Sequence, residues 1–203
     1  MNITRDKPFF LYIAHLAVHF PWQTPEDETL EVRRKGEDFT SVFPGPQSKL
    51  GPHSPEDVPS VLIQMIEELD SEVGRIIETL RKEGLDDNTF VFFTSDNGGY
   101  LNYNGTTWPN VGSNGILRGQ KGQVYEGGHR VPAIAWWPGK IAPFSVCDET
   151  ALSFDILPTI LDILEVPFPD KNSPNSIDGI SLKSLLLENK ITKSRTLFWR
   201  SEE

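Results

Sequence analysis

Thr89-Phe90-Val91-Phe92-Phe93-Thr94-Ser95-Asp96-Asn97-Gly98-Gly99 is the stretch whose reading decides the fold. Its first half is an aromatic and β-branched run, which predicts a strand covered on both faces. Its second half is short, polar and glycine-rich, which predicts a sharp turn at the carboxyl edge of a sheet, where open α/β folds place their ligands. Upstream, Val61, Leu62, Met65, Ile66, Leu69, Val73, Ile76, Ile77 and Leu80 recur at intervals of three and four, one apolar stripe of a helix that Gly84 terminates. Still earlier, Phe9-Phe10-Leu11-Tyr12-Ile13-Ala14 reads as another buried strand. Strand, helix and strand in that order form a right-handed parallel crossover. The expected class is α/β, a mainly parallel sheet with helices on both faces.

Outward from this unit, the region from Pro21 to about Pro59, with Pro44, Pro46, Pro52 and Pro55, predicts a long ordered surface loop. Val131-Pro132-Ala133-Ile134-Ala135-Trp136-Trp137 is a further strand, closed by Pro138-Gly139. Phe154 to Val166 predicts a helix in which Pro158 sits in the first turn or makes a kink. Leu182 to Leu187 predicts a short helix, and Thr196-Leu197-Phe198-Trp199 a last strand without a partner after it. Residues 1–203 are expected to be one domain or part of one, with 196–203 the start of a C-terminal subdomain.

Composition excludes some classes of function. A chain of 203 residues with 37% hydrophobic and 24% charged residues has the balance of a globular domain, and 16 Gly with 16 Pro predict long defined loops. The formal charge of −10, without a Lys/Arg run, argues against a nucleic-acid partner. The Phe9–Val18 stretch holds His15 and has no small-residue cleavage site, so it reads as neither a signal peptide nor a membrane span. Cys147 stands alone, which excludes an internal disulfide, and is expected to be a small buried hydrophobe. Nothing in these numbers fixes the oligomeric state or the compartment.

Three segments carry groups capable of chemistry. In the turn after the first quoted strand, the Asp96 carboxylate and the Asn97 carbonyl are two hard oxygen donors, suited to Ca²⁺ or Mg²⁺, although an ordinary Asp-Asn-Gly turn looks the same. In His15-Leu16-Ala17-Val18-His19-Phe20-Pro21-Trp22, a histidine can donate a proton to a leaving oxygen or hydrogen-bond an anion. The His-x-x-x-His spacing lacks the Glu of the helical zinc motif, and His15 is expected to be a hydrogen-bonded core histidine. In Leu117-Arg118-Gly119-Gln120-Lys121-Gly122 and on to Glu126-Gly127-Gly128-His129-Arg130-Val131-Pro132, Lys121 lies between glycines and can reach an oxyanion with three donors. Equally, Arg118 and Lys121 fit solvated loop cations, and Glu126 with Arg130 a structural ion pair.

Taken in order, these segments resemble the sulfatases of the alkaline-phosphatase superfamily. The resemblance runs from about Lys7 to the end and includes Phe9-Phe10-Leu11-Tyr12, Val18-His19-Phe20-Pro21-Trp22, Leu69-Asp70-Ser71-Glu72-Val73-Gly74-Arg75, Thr94-Ser95-Asp96-Asn97-Gly98-Gly99 and the Lys121 segment. It extends to Asp155-Ile156-Leu157-Pro158-Thr159-Ile160 and Asp178-Gly179-Ile180-Ser181-Leu182. It implies that Asp96 and Asn97 are ligands of an active-site calcium, and that His19 and Lys121 contact the sulfate group. It also implies a formylglycine nucleophile, made from the first residue of a Cys/Ser-x-Pro/Ala-x-Arg motif; no such motif occurs here, since Cys147 is followed by Asp148-Glu149.

The expectation is therefore the central and C-terminal part of a sulfate-ester hydrolase, truncated at the N-terminus and at the C-terminus and inactive alone. The alternatives are a non-catalytic binding or structural remnant of a sulfatase and a phosphodiester or phosphonate hydrolase, which would carry more metal-binding His and Asp. Residues Tyr100 to Trp108 add two Tyr, two Asn and a Trp, a surface for stacking on sugar rings. The expected partner is a sulfated small molecule or carbohydrate.

Overall fold

The structure is a computed structural model that describes residues 7–27, 56–102, 111–170, 172–191 and 194–200. It divides into two compact units, Met1–Ile76 with Leu101–Ser113, and Ile77–Tyr100 with Asn114–Glu203.

The first unit contains most of helix α1, Val58–Lys82. The apolar stripe lies as its spacing predicts: Val58, Val61 and Met65 are buried, and Leu62, Leu69, Val73 and Ile76 are half-buried. Ile66 departs from it and is 53% exposed. Trp22 is buried, with the Phe20 ring set edge-on at 6.1 Å. The expected strand over Phe9–Ala14 is not formed, and its side chains are exposed. A strand needs a neighbour for its N–H and C=O groups; among the described residues nothing pairs with this run. The crossover thus has no first strand among the described residues. Most of the loop expected between Pro21 and Pro59 lies outside them.

In the second unit α1 ends on Gly84, whose φ of +65° suits a residue without Cβ. The Gly84 N–H donates to Arg81 O and the Leu85 N–H to Leu80 O, closing the last turn. Strand β1, Val91–Thr94, follows and pairs with β2, Ala133–Trp136. The pairing is antiparallel, with Val91 opposite Trp136 and Thr94 opposite Ala133. The mainly parallel sheet is therefore not what the described residues form: their sheet has two strands, both short. With two strands its faces stay partly open, so β1 is half-buried along its length and Ile134 is 60% exposed.

Antiparallel pairing has one consequence for the site. The chain leaves the sheet after Thr94 and returns before Ala133 at the same edge, where the Thr94 hydroxyl donates to Pro132 O at 3.1 Å. At the opposite end the Trp137 indole donates to Asp87 O at 2.9 Å. Between them, α2 is a single turn, Glu126–His129.

Beyond β2, α3 covers Ile156–Ile163 and α4 Lys183–Glu188. Pro158 is buried in the first turn of α3, where its missing N–H has no helical partner to lose. Thr196–Trp199, expected as a strand, is irregular; it is held through side chains, by an Arg195–Asp155 ion pair and by Trp199 stacked on His129 at 4.4 Å. Cys147, expected inside, is exposed in an open stretch, 142–148. Among the described residues no helix is long and apolar enough to cross a membrane.

Candidate functional site

The turn after β1 is tied down atom by atom. The Ser95 hydroxyl donates to Asn97 O at 3.0 Å, and the Asn97 Nδ2 donates to Gly98 O at 3.0 Å. With Nδ2 so engaged, the Asn97 carboxamide presents its oxygen as the remaining acceptor. Asp96 is exposed and Asn97 half-buried. The Gly98 N–H then donates to Gly128 O at 3.0 Å, which joins the turn to α2.

Glycines make this junction possible by letting backbones touch. A Cβ on Gly98 would lie 2.0 Å from Gly127 O, one on Gly127 2.2 Å from Gly119 O, and one on Gly128 2.1 Å from Gln123 O. Backbone hydrogen bonds run through the same contacts, Gly127 N–H to Arg118 O at 2.7 Å among them. Lys121 enters here: its N–H donates to Gly99 O at 3.1 Å, so the residue sits against the Asp96–Gly99 turn, and it is half-buried. The carboxamide of Asn114 spans the two segments of this junction, bonded to Gly99 on one side and Gly119 on the other.

The other basic residues of the segment are occupied. Arg118 lies 3.8 Å from the Tyr125 ring centroid and donates to its hydroxyl at 2.8 Å. His129 Nε2 meets Val124 O at 3.1 Å, and Arg130 pairs with Glu126 at 3.4 Å, as the structural ion pair expected from the sequence.

His19 belongs to the first unit. It is exposed, and its Nδ1 lies 2.7 Å from Phe20 O. A carbonyl oxygen can only accept, so Nδ1 carries the hydrogen and Nε2 is the nitrogen turned to other partners. His15, expected as a core histidine, is exposed. Of the residues singled out in the sequence, Asp96, Asn97 and Lys121 lie in the second unit, where the Lys121 backbone N–H meets Gly99, two residues beyond Asn97. Tyr100–Trp108, the sugar-stacking candidate, lies beyond Asn102 outside the described residues.

For a calcium ion the donor chemistry fits in part. Asp96 and Asn97 present two hard oxygens from adjacent residues, where Ca²⁺ takes about six to eight. Among the described residues no group of three His, Cys, Asp or Glu could complete the shell.

The sulfatase family model matches residues 2–166, and the chain belongs to the sulfatase family. Human arylsulfatase A is 34% identical over 195 residues, covering 96% of this chain and 32% of that protein. N-acetylgalactosamine-6-sulfatase of Rattus norvegicus is 38% identical over 197 residues, 97% of this chain and 32% of that protein. The chain thus spans about a third of the length of these curated relatives. Among solved structures, Ps i-CgsB in complex with k-i-k-neocarrahexaose superposes with a TM-score of 0.68 at 26% identity, over 93% of this chain and 35% of that one.

Proposed function

We propose that the chain carries the calcium-binding and sulfate-binding part of a sulfuric ester hydrolase, which cleaves a sulfate ester to an alcohol and inorganic sulfate. The observation that carries this reading is the bond from the Lys121 N–H to Gly99 O, which sets a cationic residue against the Asp96–Asn97 turn. Asp96 and Asn97 would hold calcium through their side-chain oxygens. Calcium, when bound, supplies positive charge that draws electron density from the sulfuryl oxygens. Lys121 grips a sulfuryl oxygen and stabilises the charge that grows there during transfer. For His19, whose Nδ1 hydrogen is given to Phe20 O, the family resemblance suggests a role as proton donor to a leaving oxygen through Nε2.

A formylglycine would supply the attack on sulfur, and this sequence has no Cys/Ser-x-Pro/Ala-x-Arg motif to make one. The second reading is a non-catalytic member of the family. The substrate class proposed is a sulfated carbohydrate, supported by a sugar-sulfatase relative and by the oligosaccharide in the similar solved structure.

The two readings part in one experiment. These 203 residues are joined to a segment with a matured formylglycine and assayed for sulfate release from aryl and sugar sulfates, beside the chain alone. Turnover by the joined protein and none by the chain alone is the expected result. Folded but inactive joined protein would favour the non-catalytic reading, and turnover by the chain alone would refute the assignment of the nucleophile.

A further inference from the structure

We infer that Asn114 is the positioning residue that fixes Lys121 against the metal-binding turn. Its Oδ1 accepts the Gly99 N–H at 3.0 Å, while its Nδ2 donates to Gly99 O at 3.0 Å and to Gly119 O at 2.9 Å. One planar carboxamide thus pairs with both backbone groups of Gly99, as a neighbouring strand would, and at the same time holds the carbonyl two residues before Lys121. Gly99 O takes the Lys121 N–H as well, at 3.1 Å, so Asn114 and Lys121 share one acceptor. The site has room for this arrangement because residue 99 is glycine: a Cβ there would stand 2.8 Å from Asn114 Oδ1.

No other side chain substitutes. Aspartate offers acceptors without donors, serine and threonine offer one donor, and glutamine places its amide a carbon further out. Asn114 does not touch the reacting atoms. It acts through Lys121 and Asp96–Asn97, by holding the two segments in one register.

The inference rests on the sulfate site proposed above, and the test separates the two. Amide exchange at Gly99 and Lys121, relative to intrinsic rates, is measured in the full chain, with inorganic sulfate titrated while the amide shifts of residues 119–123 are followed. In Asn114→Ala both amides are expected to exchange about tenfold faster or more, since the Gly99 N–H loses its acceptor and the Gly99 carbonyl that takes the Lys121 N–H is no longer held, and the sulfate response to weaken. Asn114→Asp keeps the shape and the acceptor but sets an anionic oxygen against the carbonyls of Gly99 and Gly119. Its defect should be partly relieved as pH falls and the carboxyl gains a hydrogen it can donate, and Asn114→Ala should show no such relief. A residue that merely fills space would not produce that pH profile, and the profile is read from Asn114→Asp alone if Asn114→Ala fails to fold. Lys121→Ala should retain amide protection and lose the sulfate response; if the response survives, the sulfate assignment fails while the exchange data still judge Asn114. Unchanged exchange in both Asn114 variants, or an Asp variant indifferent to pH, would overturn the positioning role.

Discussion

Arg195 donates from both terminal guanidinium nitrogens to the two carboxylate oxygens of Asp155, a side chain with no exposed surface. The same carboxylate accepts the N–H of Leu152 at 2.8 Å and of Ile180 at 3.0 Å, so one buried charge ties together three stretches of the second unit. Burial pushes the Asp155 carboxyl upward, but the Arg195 hydrogen bonds and the two backbone donors prevail and hold it below its ordinary 3.8. A carboxylate depressed in the folded state contributes stability that is complete above its unfolded value and is lost as pH falls through the folded one. Acid unfolding should therefore set in below about pH 4. Arg195→Ala, which leaves the buried carboxylate without its cation, should cost about 3–5 kcal/mol in a denaturant titration at neutral pH and flatten that acid limb.

The contact between the turn and α2 admits no side chains. Gly98→Ala and Gly127→Ala each place a methyl about 2 Å from a backbone oxygen, which backbone alone must yield to accommodate. Each should lower stability by about 1–3 kcal/mol and broaden the amide signals of residues 119–123, as seen by thermal melting and NMR.

Two glycines with open space around them lie on α1 and just after it. Gly74 has nothing within 4 Å of an added Cβ, whereas Gly84 has the same free space but a φ of +65°. Gly74→Ala should stabilise by about 0.5–1 kcal/mol, through helix propensity and a less flexible unfolded chain. Gly84→Ala should destabilise by about 1–2 kcal/mol, because its cost is backbone conformation and not crowding.

Calcium binding by the isolated chain should be weak, since Asp96 and Asn97, as proposed ligands, would provide two of the roughly six to eight oxygens the ion takes. Calorimetry should give no tight stoichiometric isotherm, and Asp96→Ala should remove what binding there is. Tight binding that survives Asp96→Ala would mean that the ligands lie elsewhere.

Local chemistry was readable where a segment determines its own conformation. The α1 stripe, its stop at Gly84, the strands around Phe92 and Ile134, the Pro158 turn and the Glu126–Arg130 pair all follow from spacing or from a single residue's stereochemistry. Phe9–Ala14 and Thr196–Trp199 have the composition of strands, yet a strand depends on a partner that composition does not name. The direction of the β1–β2 pairing was hidden for the same reason. Asp96, Asn97 and Lys121 were candidates in the sequence because of their side-chain donors and the family motifs that carry them. Asn114 was not, since an Asn between Ser113 and Gly115 reads as an ordinary turn residue until Gly99 and Gly119 are folded against it. Arg195 and Asp155 are 40 residues apart, and no local pattern joins them.

The central claim is that Asp96, Asn97 and Lys121 serve one sulfate ester. It is tested most directly by sulfate release from the formylglycine-bearing joined protein carrying single substitutions. Asp96→Ala should abolish turnover and Lys121→Ala should lower kcat by about 10²–10³-fold, the usual loss when a group stabilising developing charge is removed. Arg118→Ala, whose guanidinium is spent on Tyr125, should cost far less. Turnover that survives Asp96→Ala, or that is indifferent to Lys121→Ala while Arg118→Ala destroys it, would contradict the account.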